Sequence, residues 1–228
     1  IFSFLCMGLS AAGLVLTAQY YGAGDKQTVQ RIFDLLIQII FVSSILFGLV
    51  SLFFPKQIMA IYTDDPDVIE EGAKYLRITA FVYLPHGISL VLSNIMRSVG
   101  NAKIGLYVSM ASFVVNIGAN YVFIFGKLGM PVLGVAGAAL GTLCARIVEF
   151  GVCTYFVLRV DKALMYRPTG LLKLPSGLLM GEFTRLGLPA IISDTILAFA
   201  TSAIGMILGH MGREYVTSYS IVSTIDRL

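Results

Sequence analysis

The sequence predicts an all-α fold, a polytopic bundle of membrane-spanning helices. Three observations carry this. Of 228 residues, 57% are hydrophobic and only 13% charged, with a mean hydropathy of +0.86; an ordinary soluble domain carries about 25% charged residues. The charges cluster between apolar runs of the roughly 20 residues that a helix needs to cross a bilayer. The short alternating segments of a transmembrane barrel are absent from the sequence.

The first expected span runs from Ile1 to about Tyr21 and closes in a turn of Gly22, Gly24 and a helix-capping Asp25. The second runs from near Thr28 to Phe54, where Pro55 stops it, and places Asp34 and Gln38 one turn apart. Lys56–Lys74 is too polar to span; Pro66 after two Asp residues fits a cap followed by a short interfacial helix. The third span covers about Tyr75 to Arg97 and is expected to kink at Pro85-His86-Gly87. The fourth begins at Lys103. No formal charge occurs between Lys103 and Lys127, and at ~100° per residue Gly105, Ser109, Ser112, Asn116 and Asn120 share one narrow face. A glycine-rich turn leads to the fifth span, ending near Leu158, whose Gly134, Gly137, Ala138, Gly141 and Ala145 form a smooth stripe. Arg159–Arg185, with Pro168 and Pro175, reads as a basic linker between two bundles. A sixth span is expected from about Leu186 to His210, with Pro189 and Asp194 near its start, and a seventh begins near Tyr215.

Alternate loops differ in charge. The set 21–31, 97–103 and 159–185 holds nine Lys and Arg residues, from Lys26 to Arg185, whereas the other set holds most of the acids. By the positive-inside rule the first set is cytoplasmic. The first span then runs outside to inside, which calls for an earlier span or a translocated N-terminus. The chain also opens directly in an apolar run and closes within a helical pattern, IVSTIDRL. It therefore reads as a fragment of a longer membrane protein.

Composition also narrows function. A net charge of +3 without a basic run leaves no nucleic-acid patch. Cys6, Cys144 and Cys153 lie in apolar runs without a C-x-x-C pair, as buried small hydrophobes rather than disulfides or metal ligands. No phosphate-binding loop, HExxH, GxSxG or zinc pattern occurs, so no enzyme chemistry, cofactor or metal is expected.

Polar residues in hydrocarbon are expensive, so the seam on the fourth span marks a candidate site. Asn116 and Asn120 can line a hydrated cavity or coordinate an ion through oxygen; they can equally be interhelical hydrogen bonds that hold the bundle. Thr142 can add a hydroxyl, or bond its own backbone. Arg146 and Glu149, three apart, read as a neutralising pair. Asp194 can carry a proton or a cation, or sit solvated at the interface. His86 can titrate near neutral pH, or pack at a kink. Asp34 reads as interfacial, with a cytoplasmic gate as the alternative. Gly137-x-x-x-Gly141 permits close helix contact.

The segments AQYYGAGD, YLRITAFVYLPHGISLVLSNIMRSVGNAK and NIGANYVFIFGKLGMPVLGVAGAALGT, in this order and spacing, resemble the multidrug and toxic compound extrusion (MATE) transporters, closest to the prokaryotic DinF-like branch. The resemblance implies most of one six-helix lobe plus the start of the second. Residues 1–158 would hold N-lobe helices two to six of the family, 159–185 the cytoplasmic inter-lobe linker, and 186–228 helix seven and part of eight. It further implies a secondary antiporter of the cell membrane. Such a protein exports cationic or amphipathic compounds in exchange for H+ or Na+, by alternating access. Its surroundings would be the lipid bilayer and the remainder of its own chain. In that reading Asn116 and Thr142 match family coupling positions, while Asn120 stands where the family has an Asp; the family's first helix, which carries a further Asp, is expected to precede this fragment. The alternatives are a lipid-linked oligosaccharide flippase of the same superfamily, or a non-transporting membrane protein.

Overall fold

A computed structural model describes residues 1–127, 129–161, 164–166, 170–171 and 177–225. Nine α-helices and no strands occur among the described residues: α1 (Phe2–Gly22), α2 (Lys26–Phe53), α3 (Pro55–Ala60), α4 (Pro66–Thr79), α5 (Tyr83–Ser98), α6 (Lys103–Phe125), α7 (Gly134–Tyr155), α8 (Gly177–Met211) and α9 (Arg213–Ile225). A π turn, Phe156–Val160, extends α7. Among the described residues, five elements are long and apolar enough to cross a membrane, and the bent pair α4–α5 makes a sixth candidate. The chain is a multi-pass membrane protein with an all-α bundle fold.

Local chemistry sets the boundaries. Asp25 caps α2, its carboxylate accepting from the Thr28 amide at 3.0 Å and hydroxyl at 2.6 Å. Gly24 supplies the φ of 80° that the turn before it requires. Pro55 does more than end α2, because it opens α3 as its first residue. Asp65 caps α4 ahead of Pro66, accepting from the Asp67 amide at 3.1 Å.

Two expectations are corrected. The third span is not one helix from Tyr75 kinked at Pro85. Instead α4 continues to Thr79, the chain turns over Ala80–Val82, and α5 leaves at 53°. Pro85 has no N–H to offer the Phe81 carbonyl, so the ladder fails in the turn before the proline rather than at it. Thr79 contributes by bonding back to the Tyr75 and Leu76 carbonyls, both at 3.1 Å. The sixth span likewise begins earlier than Leu186. Helix α8 starts at Gly177 and runs through Pro189, so residues 177–185 of the expected linker are helical. Glu182 there accepts a 2.7 Å hydrogen bond from the Tyr20 hydroxyl at the end of α1. Pro168, Pro175, Lys162, Arg167 and Lys173 of that linker lie outside the described residues.

The core sits between α1, α2 and α5, where Leu9, Leu16, Phe33, Leu36, Val91 and Met96 are buried together. Helix α8 packs closely on α1 through small residues: a Cβ on Gly8 would meet Ile191 Cα at 2.9 Å, and one on Gly187 would meet Ala12 Cβ at 2.9 Å. Helices α6 and α7 form an antiparallel hairpin whose turn is closed by the Leu133 amide donating to the Phe123 carbonyl at 3.1 Å. The smooth stripe on α7 faces α6, since a Cβ on Gly137 would lie 2.7 Å from the Phe123 carbonyl carbon. The other side of α6 exposes Leu106, Met110, Val114 and Ile117. That is the surface a helix presents to lipid.

Candidate functional site

The polar face of α6 and the adjoining face of α7 open into a cleft of about 430 Å³, lined by Ser109, Ser112, Phe113, Asn116, Thr142, Ala145, Arg146 and Glu149. Ser109, Ser112 and Asn116 follow one another at spacings of three and four on α6. Thr142, Ala145 and Glu149 do the same on α7. Packing the hairpin through glycine and alanine brings both rows to the same groove.

Asn116 therefore reaches the cleft, as its position in the seam predicts. Asn120 does not line it. It lies one turn along, donating from Nδ2 to Asn116 Oδ1 at 3.1 Å. Its own Oδ1 is buried with no hydrogen-bond partner among the described residues, and it rests against Gly141, where an added Cβ would collide with it. Thr142 lines the cleft, but its hydroxyl donates to the Ala138 carbonyl at 3.0 Å.

The charge in the cleft comes from residues that the sequence suggests only as a neutralising pair. Arg146 and Glu149 are joined by a salt bridge along α7. Ser112 Oγ reaches the same Glu149 oxygen across the hairpin at 3.5 Å. Glu149 is only 8% exposed, which makes its pairing obligatory in energetic terms. The i, i+3 spacing is a visible signal for the pair; its orientation toward the Asn seam is not.

The other sequence candidates lie elsewhere. His86 sits in the first turn of α5 with Nδ1 buried and unpartnered among the described residues. The adjacent Gly87 admits α2, since a Cβ there would lie 2.6 Å from Ile40 Cγ2. Asp194 is half-buried on α8 and does not line the α6–α7 cleft. Asp34 is buried, at 8% exposure, and accepts from the Tyr166 hydroxyl at 2.5 Å. Burial, then the hydrogen bond to Asp34, holds the Tyr166 phenol above its ordinary range, so this hydroxyl stays a donor. Tyr166 is a contact that no spacing in the sequence announces.

Comparison with known proteins gives this geometry its context. The family model MatE matches residues 1–122, more than half of the chain. The chain belongs to the MatE family. Among curated relatives, the probable multidrug resistance protein NorM of Agrobacterium fabrum (strain C58) is 29% identical over 216 residues, 94% of this chain and 46% of that protein. The probable multidrug resistance protein YoeA of Bacillus subtilis (strain 168) is 24% identical over 221 residues, 96% of this chain and 48% of that one. A solved structure of the MATE multidrug transporter DinF-BH shares the fold, with a TM-score of 0.86 at 21% identity over 97% of this chain and 49% of that chain. This MatE chain thus spans about half the length of the curated relatives it matches. This MatE chain is a multi-pass cell-membrane protein.

Proposed function

We propose that this MatE chain is part of a secondary active antiporter. It would export cationic or amphipathic drugs and toxic compounds in exchange for H+ or Na+, by alternating access of two lobes. Residues 1–158 form N-lobe helices, 159–185 the inter-lobe linker and 186–228 the start of the C-lobe. The helical start of α8 at Gly177 moves the working end of that linker inward.

The observation that carries the reading is the cleft between α6 and α7. It combines a carboxylate, a guanidinium and the Asn116 amide in a bundle whose outer surface is apolar. Amide and carboxylate oxygens suit a hard cation, and a carboxylate can also take a proton. In this reading Asn116 meets the coupling ion in the cleft, Asn120 fixes the Asn116 carboxamide from one turn along, Glu149 supplies the carboxylate, and Thr142 shapes the wall with its hydroxyl held to the backbone. Drug release follows from the bias that ion binding places on two helix arrangements.

Ethidium or fluoroquinolone export by the full-length protein in proteoliposomes tests this. Asn116→Ala at wild-type expression is expected to lower ion-driven export by about tenfold, the effect of losing one charge-assisted contact. Undiminished export would remove Asn116 from the coupling site.

A further inference from the structure

Three irregularities meet where the chain leaves α7. The helix loosens into the π turn Phe156–Val160, a form found mostly as single turns at functional sites. Asp161, which is buried, then gathers the backbone that follows. Its Oδ2 accepts from the Leu164 amide at 2.9 Å and the Met165 amide at 3.3 Å, while Oδ1 accepts from Asn101 Nδ2 at 2.6 Å. Met165 sits at φ 50°, the left-handed region that a residue with a Cβ enters at a cost.

Beyond it, the described linker residues lie along α2. Gln30, Asp34 and Gln38, spaced four apart, form one row on that helix, about 12 Å long at 1.5 Å per residue. Gln30 Nε2 donates to the Leu164 carbonyl at 3.3 Å, Asp34 accepts from the Tyr166 hydroxyl and the Gly170 amide, and Gln38 Nε2 donates to the Leu171 carbonyl at 2.7 Å. The Tyr166 ring stacks on Phe33 with centroids 4.6 Å apart.

A tether between two bundles needs only length. This one lays irregular backbone against α2, which supplies its hydrogen-bond partners as a regular row. The contacts are mostly single hydrogen bonds that water can replace. Among the described linker residues after Asp161, only Leu164 and Tyr166 are buried before α8 begins. We propose that the described linker residues, 164–166 and 170–171, are a releasable strap, held on α2 by the Gln30–Asp34–Gln38 row and freed during the transport cycle. The release step rests on the alternating-access reading under Proposed function, whereas the strap rests on its own contacts.

Two measurements on the full-length protein test it separately. Hydrogen–deuterium exchange reads the strap without any transport. Asp34→Ala, which removes the acceptor of the Gly170 amide, and Gln38→Ala, which frees the neighbouring Leu171 carbonyl, are each expected to speed exchange of the Gly170 amide by about tenfold while α6 amides keep their rate, and Asp34→Asn, which keeps an acceptor oxygen, is expected to restore protection. Unchanged exchange in both alanine variants would overturn the strap.

The second measurement reads release. A Cβ on Gly170 would lie 3.8 Å from the Asp34 Cβ, the separation a disulfide prefers. The double variant Asp34→Cys/Gly170→Cys, oxidised in proteoliposomes, is expected to lose ion-driven ethidium export and to regain it on reduction, with neither single variant responding to oxidant. Export at the reduced protein's rate, with the disulfide confirmed by mass spectrometry, would overturn release. A wild-type protein that moves no drug under an imposed ion gradient would sink the transport reading and the release step with it, while exchange would still decide whether the row holds the strap.

Discussion

Gly141 and Asn120 are set against each other across the α6–α7 hairpin, and the fit leaves no space for a methyl group. Gly141→Ala must push the Asn120 carboxamide aside and break its bond to Asn116. Overpacking of this kind costs about 1–3 kcal/mol, so a clear drop in the thermal midpoint of the purified protein is expected. Gly118→Ala, in the same hairpin with nothing within 4 Å of the added carbon, is expected to be neutral or slightly stabilising. Equal midpoints for the two variants would mean that the close approach is not a constraint. At this scale the sequence shows the seam well, because period-3.6 spacing places Ser109, Ser112 and Asn116 on one face whatever packs opposite. It does not show that Asn120 leaves the cleft for Gly141, nor that Glu149 enters it. Both depend on the rotation of α7 against α6, a tertiary choice that no single-helix pattern contains.

Helix identities are legible from hydropathy and caps: Asp25, Asp65 and Pro66 each mark a start by a mechanism that acts within four residues. The α4–α5 bend is only half legible. Pro85 announces a broken ladder, but the break falls at Ala80–Val82, where the lost N–H would have been used and where Thr79 competes for carbonyls. Pro85→Ala restores the donor for Phe81 and is expected to straighten the pair, lengthening the distance between spin labels at the exposed positions Glu70 and Arg97. An unchanged distance would assign the bend to packing, where the Ala80 carbonyl lies 3.1 Å from where a Gly48 Cβ would stand. The early start of α8 is hidden for another reason. Residues 177–185 include Glu182 and Arg185, which interrupt an apolar run without interrupting a helix.

At the scale of the described molecule, a polar cleft and a polar row bear on function. The cleft opens between α6 and α7, and the row lies on α2 beneath the linker. On the proposed antiporter reading, Asn116 and Glu149 are the groups that would hold a cation in the cleft. Coupling requires reciprocity: if the ion site and the drug site act on one equilibrium, each ligand changes the affinity of the other by the same factor. Ethidium binding to the full-length purified protein, titrated with and without Na+ and from mildly acidic to mildly basic pH, measures that factor directly. A coupling site in this cleft requires drug affinity to depend on H+ or Na+ in the wild type and to lose that dependence in Asn116→Ala. An ion dependence that persists unchanged in Asn116→Ala would place the coupling site outside the α6–α7 cleft.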